Sequence, residues 1–182
     1  MIINKTVISK LDPCKDRFDN FLEKYPDFNG NLDSFLNLTE ITYSDKMWVG
    51  VRVLTINQEA SFSILCADSV LHIFEERFPE DKKPRELLEY LKTIKDFENL
   101  KEEEREKIRA LRNAAATAAA DAAAAGAASA TAAAYATNAA SYATNAAYDD
   151  NAASVAAAAG AYNDRTEQEE LNLTFLIMVA ST

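Results

Sequence analysis

Apolar residues recur every three or four positions through most of the first hundred residues, the period of a helix buried along one side. Phe18, Phe21, Leu22 and Tyr25 form one such set, closed by Pro26. Asp12-Pro13 supplies its start signal, a capping side chain followed by proline at the first helical position. Residues 1–10 are β-branched and predict an extended or loosely docked start. After a loop at 27–31 containing Asn-Gly, Leu32, Phe35, Leu36 and Leu38 predict a short helix over residues 32–41. Residues 47–54 are rich in Val and would be a strand by propensity alone. Trp48, Val51 and Thr55 share a helical face, however, and no partner strand is evident, so the segment is assigned to a helix. From Asn57 or the next residue to about Phe78, a longer helix buries Ile64, Leu65, Ala67, Val70, Leu71, Ile73 and Phe74. A tight connection at 79–84 follows. Pro84 then opens a helix that turns Leu87, Leu88, Leu91 and Ile94 inward.

The pattern changes twice beyond this point. Residues 99–113 interleave Glu with Lys and Arg at helical separations, predicting a solvated helix. That helix runs straight into residues 114–162, of which 29 of 49 are Ala, with Val155 the only branched aliphatic. Alanine is the strongest helix former, so the tract should be helical. A methyl group buries little area, so such helices gain stability mainly by close approach to one another. Within the tract, residues 135–141 and 142–148 repeat Tyr-Ala-Thr-Asn-Ala-Ala followed by Ser or Tyr. At ~100° per residue the Ala positions fill one side and Tyr135, Asn138, Tyr142, Asn145 and Tyr148 the other. Gly126, or the polar residues 148–151, would be the place for a bend. Residues 163–182 read as a closing helix, with acids in its first turn and then Leu171, Phe175 and Met178. The alternation of Leu171, Leu173 and Phe175 keeps a strand open there. The fold class is therefore all-α, in one domain. An apolar-core part (1–113) carries a long Ala-rich helical arm or hairpin (114–162), and residues 163–182 close the core.

Charge narrows the function classes. The chain has 29 acids and 19 bases, a formal net charge of −10, and only one base follows Ala114. Such a surface repels nucleic acid and anionic membrane, and it suits a basic protein partner or simply solubility. Lys82, Lys83 and Arg85 form one small basic knot, too mixed with acids to track phosphates. Cys14 and Cys66 stand far apart in no ligand spacing, which suggests a reducing, cytoplasmic setting. Cys66 reads as a small core residue. No apolar run is long enough for a membrane span. His72 is the only histidine, the four glycines stand alone, and no nucleophile motif appears, so no catalytic residue, metal site or cofactor is expected.

Residues 73–89 read Ile-Phe-Glu-Glu-Arg-Phe-Pro-Glu-Asp-Lys-Lys-Pro-Arg-Glu-Leu-Leu-Glu, preceded by Cys-Ala-Asp-Ser-Val-Leu. This stretch resembles the immunity-five-like group of immunity proteins from bacterial polymorphic toxin systems, also found in phages and prophages. In that group a helix ending in a signature of this kind precedes a variable Ala-rich helical segment. Phe74, Glu75, Phe78, Pro79, Asp81, Pro84 and Arg85 fit the signature, and Arg52 fits an arginine in the helix before it. The resemblance covers roughly residues 44–162; the first forty residues and the Tyr/Asn/Thr repeat have no counterpart in it. It implies a helical, cytoplasmic, non-enzymatic inhibitor that binds a toxin.

Three functional expectations follow. The first is a toxin or effector inhibitor, with Tyr135, Tyr142 and Tyr148 as contact area and Asn138, Asn145, Asp149 and Asp150 as polar specificity. The second is a phage counter-defence protein that binds a host protein or sequesters a small anionic ligand in a pocket of Arg52, His72 and Arg85. The third is a helical spacer or homo-oligomerisation module. The signature also has a purely architectural reading, with Asp81 capping the helix at Pro84 and Arg85 or Arg52 paired with Glu75 or Glu76.

Overall fold

The computed structural model describes residues 1–124 and 165–182, with Ala134 alone between them. The described residues form eight helices and one two-stranded antiparallel pair, an all-α architecture. In chain order these are β1 (Ile3–Asn4), α1 (Lys5–Lys10), α2 (Lys15–Lys24), β2 (Asn29–Gly30), α3 (Leu32–Leu36) and α4 (Tyr43–Arg52). They continue with α5 (Ile56–Arg77), α6 (Lys83–Thr93), α7 (Glu102–Ala124) and α8 (Arg165–Ala180).

α5 is the central element, because it buries residues on more than one side. Phe62, Cys66, Ala67, Val70, Leu71 and Phe74 are all sealed from solvent. α6 packs on α5 through Leu87, Leu88 and Leu91, and α7 packs in turn on α6. α8 lies against α5, α3 and α4. A smaller aromatic cluster joins α2 to α3, where the Phe21, Phe28 and Phe35 rings sit about 6 Å apart. Local chemistry sets the helix starts. The Thr55 hydroxyl accepts the Gln58 amide at 3.3 Å while the Gln58 side chain accepts the Thr55 amide at 3.0 Å, a reciprocal cap for α5.

Most predicted helices are present, including α4 in the Val-rich segment and α8 where alternation left a strand open. Several boundaries differ, each for an identifiable reason. Residues 1–10 are not simply extended: only Ile3–Asn4 pair, with Asn29–Gly30, inside the segment predicted as a loop. The Asn4 side chain then accepts the Thr6 and Val7 amides and starts a helix. Asp12 does not cap α2; at φ 56° it takes the left-handed conformation that ends α1, one Asp tolerates better than most residues. α3 stops at Leu36 rather than reaching residue 41. Asn57 does not open α5; its side chain accepts the Phe97 amide at 2.6 Å and ties the loop after α6 to the first turn of α5.

The charged segment does run unbroken into the alanines as α7, but it is not wholly solvated. Ile108 is fully buried, and Ala115, Ala118 and Ala122 continue its stripe at 0–2% exposure. The Ala tract therefore begins by packing one face closely, as its composition predicts. The rest of the tract, with Tyr135, Asn138, Tyr142, Asn145, Tyr148, Asp149 and Asp150 and the bend at Gly126, lies outside the described residues. No helix among the described residues is long and apolar enough to cross a membrane.

Candidate functional site

Two charged residues of the 73–85 segment, Glu75 and Arg85, meet between α5 and α6. Proline in the first turn of α6 starts that helix and points Arg85 back along α5. The Arg85 guanidinium grips Glu75 with two parallel hydrogen bonds, Nε to Oε1 at 2.9 Å and Nη2 to Oε2 at 2.8 Å. Its third nitrogen donates to Asp68 and lies 3.6 Å from Glu89. Lys92 closes the ring, donating to Asp68 at 2.9 Å and to Glu89 at 2.7 Å. Three carboxylates thus share two cations in a half-buried network.

The environment stabilises the charges of Asp68, Glu75, Arg85 and Lys92. Hydrogen bonding from Arg85 holds the Glu75 carboxyl below its usual range. Burial works against ionisation of Asp68, but the bonds from Lys92 and Arg85 outweigh it, and its pKa is also lowered. Glu75 first, and then Asp68, raise the pKa of Arg85. Bidentate Arg–carboxylate geometry of this kind gives directional strength that a lysine could not supply.

The structure brings Arg85 and Glu75 together and places Arg52 on Trp48 instead. Arg52, in the last turn of α4, lies 4.2 Å over the Trp48 ring and donates to the Trp48 carbonyl at 3.2 Å. His72 is exposed on α5, between Asp68 and Glu75 by helical spacing. Asp81 accepts the Lys83 amide at 3.2 Å and pairs with the Lys83 ammonium at 3.0 Å, bracing the turn into α6. Two cavities stand out elsewhere, neither touching Arg52, His72 or Arg85. One is a cleft of about 40 Å³ between Phe18, Ile41 and Trp48, with the Arg17–Asp45 pair (3.0 Å) on its wall. The other is a groove of about 420 Å³ bordered by Met1, Leu54, Gln58, Ile177 and Ser181. Among the described residues, no group of three or more His, Cys, Asp or Glu side chains could hold a metal ion.

Sequence reasoning missed Asp68 and Lys92. A usable signal existed: Asp68 and Glu75 are seven apart on α5, while Arg85, Glu89 and Lys92 fall at four- and three-residue steps on α6. An acidic pair on one helix can meet the two cations of a stripe on the next. Comparison with known proteins adds no family: no family model, no curated protein and no solved structure matches the chain.

Proposed function

We propose that this protein is an immunity-type inhibitor that binds a toxin or effector protein and neutralises it by occlusion, without catalysing a reaction. The observation that carries this reading is the engagement of Arg85. A guanidinium gripped by Glu75 and Asp68, with Glu89 beside it, is a poor receptor for a phosphate or nucleotide. The 73–85 signature then braces the fold, and recognition falls to the protein surface. A formal charge of −10 favours a basic partner and speeds its approach. On this reading the Tyr135, Tyr142 and Tyr148 face, with Asn138, Asn145, Asp149 and Asp150, is the contact surface. Tyrosines supply large contact area at low entropic cost.

The test is capture of the tagged protein from its host's lysate, followed by reconstitution with the recovered partner. One stoichiometric protein whose activity falls as the inhibitor is titrated in is the expected result. A Tyr135→Ala/Tyr142→Ala/Tyr148→Ala variant should keep its helical circular dichroism and lose at least about 2 kcal/mol of binding, the loss expected of a hot-spot cluster. Recovery of the chain alone would overturn the inhibitor reading. Unchanged affinity of the triple variant would move the contact surface elsewhere.

A further inference from the structure

Hydrophobicity alone does not determine which face of α8 meets the core. Seven of its nine residues from 171 to 179 are large and apolar, the exceptions being Asn172 and Thr174. Leu171, Phe175 and Met178 form one apolar stripe by spacing, yet Met178 is 48% exposed. The stripe that is sealed instead is Asn172, Leu176 and Val179, with a polar residue at its head. Turning Met178 inward would exchange one apolar stripe for another and take Asn172 away from the partners it has in the core. Some specific contact must oppose that rotation.

The opposing contacts are visible at two points. The Asn172 amide donates to the Tyr43 hydroxyl of α4 at 2.9 Å, and its carbonyl oxygen accepts from the Cys66 thiol of α5 at 3.5 Å. One turn further along α8, Leu176 sits directly over Gly50 of α4; a Cβ there would come within 2.8 Å of Leu176 Cδ1. Rotating α8, or sliding it by one turn, would withdraw Asn172 from Tyr43 and lift Leu176 off its glycine seat. The loss of an amide's buried hydrogen bonds is comparable to the apolar gain of one side chain, so it can offset that gain. On α5, one turn before Cys66, the buried Ser63 hydroxyl has no hydrogen-bond partner among the described residues.

We propose that Asn172 is the positioning residue that selects the facing and register of α8, with Tyr43 as its determining partner and Gly50 as the seat for Leu176. The pair acts as a conformational key, trading stability for uniqueness, as single buried polar residues do in helix bundles. It goes beyond the inhibitor reading and does not depend on it. Its consequence is geometric, since the register of α8 fixes where the residues of that helix lie against α3, α4 and α5.

The test compares Asn172→Leu and Tyr43→Phe with the wild type, by thermal melting and by backbone-amide NMR with hydrogen exchange. Asn172→Leu should melt at or above the wild-type temperature. Its α8 amides should nevertheless give doubled or broadened resonances, with protection lowered about tenfold while α5 amides keep theirs. Tyr43→Phe changes no shape and should show the same doubling to a smaller extent; it carries the test if Asn172→Leu does not fold. A single sharp set of α8 resonances in both variants overturns the proposal. So does a loss of melting temperature without a second α8 state, because a merely structural asparagine would behave that way.

Discussion

Arg85 does more for this fold than its position on a charged surface suggests. Its side chain is 29% exposed and holds two carboxylates that stand about two helical turns apart on α5. Removing it leaves Asp68 and Glu75 without that counter-charge, so Arg85→Ala should cost about 1–2 kcal/mol in urea unfolding, at the upper end for partly exposed pairs. Arg85→Lys should recover only part of that, since a point charge cannot reproduce the two-bond grip on Glu75. A change below about 0.3 kcal/mol in Arg85→Ala would show the network to be ornamental. The cysteines offer a second check at this scale. Cys14 is exposed and Cys66 fully buried, and burial pushes the Cys66 thiol well above its ordinary pKa. A thiol reagent should therefore titrate one equivalent in the native protein and two after denaturation. Two fast equivalents without denaturant would show that the α5–α8 interface opens readily.

Between elements, the α5–α6 junction should be acid-labile in a definite direction. Asp68 and Glu75 have native pKa values below their ordinary 3.8 and 4.5. A depressed carboxyl contributes stability that is fully present above the unfolded value and disappears as pH falls through the native one. The urea midpoint should therefore hold between pH 7 and about 5.5 and drop as pH passes below 4.5 toward the depressed native values. The gap between wild type and Arg85→Ala should narrow over the same interval, because protonated carboxyls no longer need the arginine. A gap that stays constant down to pH 2.5 would assign the acid response to other groups. This junction was only half legible in the sequence. Glu75 and Arg85 stood out through a resemblance, whereas Asp68 and Lys92 carried no signal until two charged stripes were laid against each other. Helix ends were misplaced at Asp12 and Asn57 for a related reason. Both residues have capping chemistry, but a left-handed turn claimed one and a bond to the distant Phe97 amide the other.

Across the molecule, the described helices are arranged around α5, with α6 and then α7 on one flank and α8 with α3 and α4 on another. The proposed inhibitor surface belongs to the acidic Ala-rich tract, and its prediction is the loss of binding without loss of helicity already set out for Tyr135, Tyr142 and Tyr148. What the sequence determined by itself is whatever follows from short-range physics. Three- and four-residue periodicity gave the helices, small side chains gave the closely packed stripe of Ala115, Ala118 and Ala122, and the excess of acids gave the charge. The tertiary structure alone decided the rest: that Arg85 pairs with the carboxylates of α5, and that Arg52 lies on Trp48. It also decided that α8 seals Asn172 in the core and leaves Met178 exposed. The physical reason is common to all three. Each outcome is a competition between partners from separate helices, and such competitions are settled by distance and shape once the helices are packed, neither of which is written in the spacing along one chain segment.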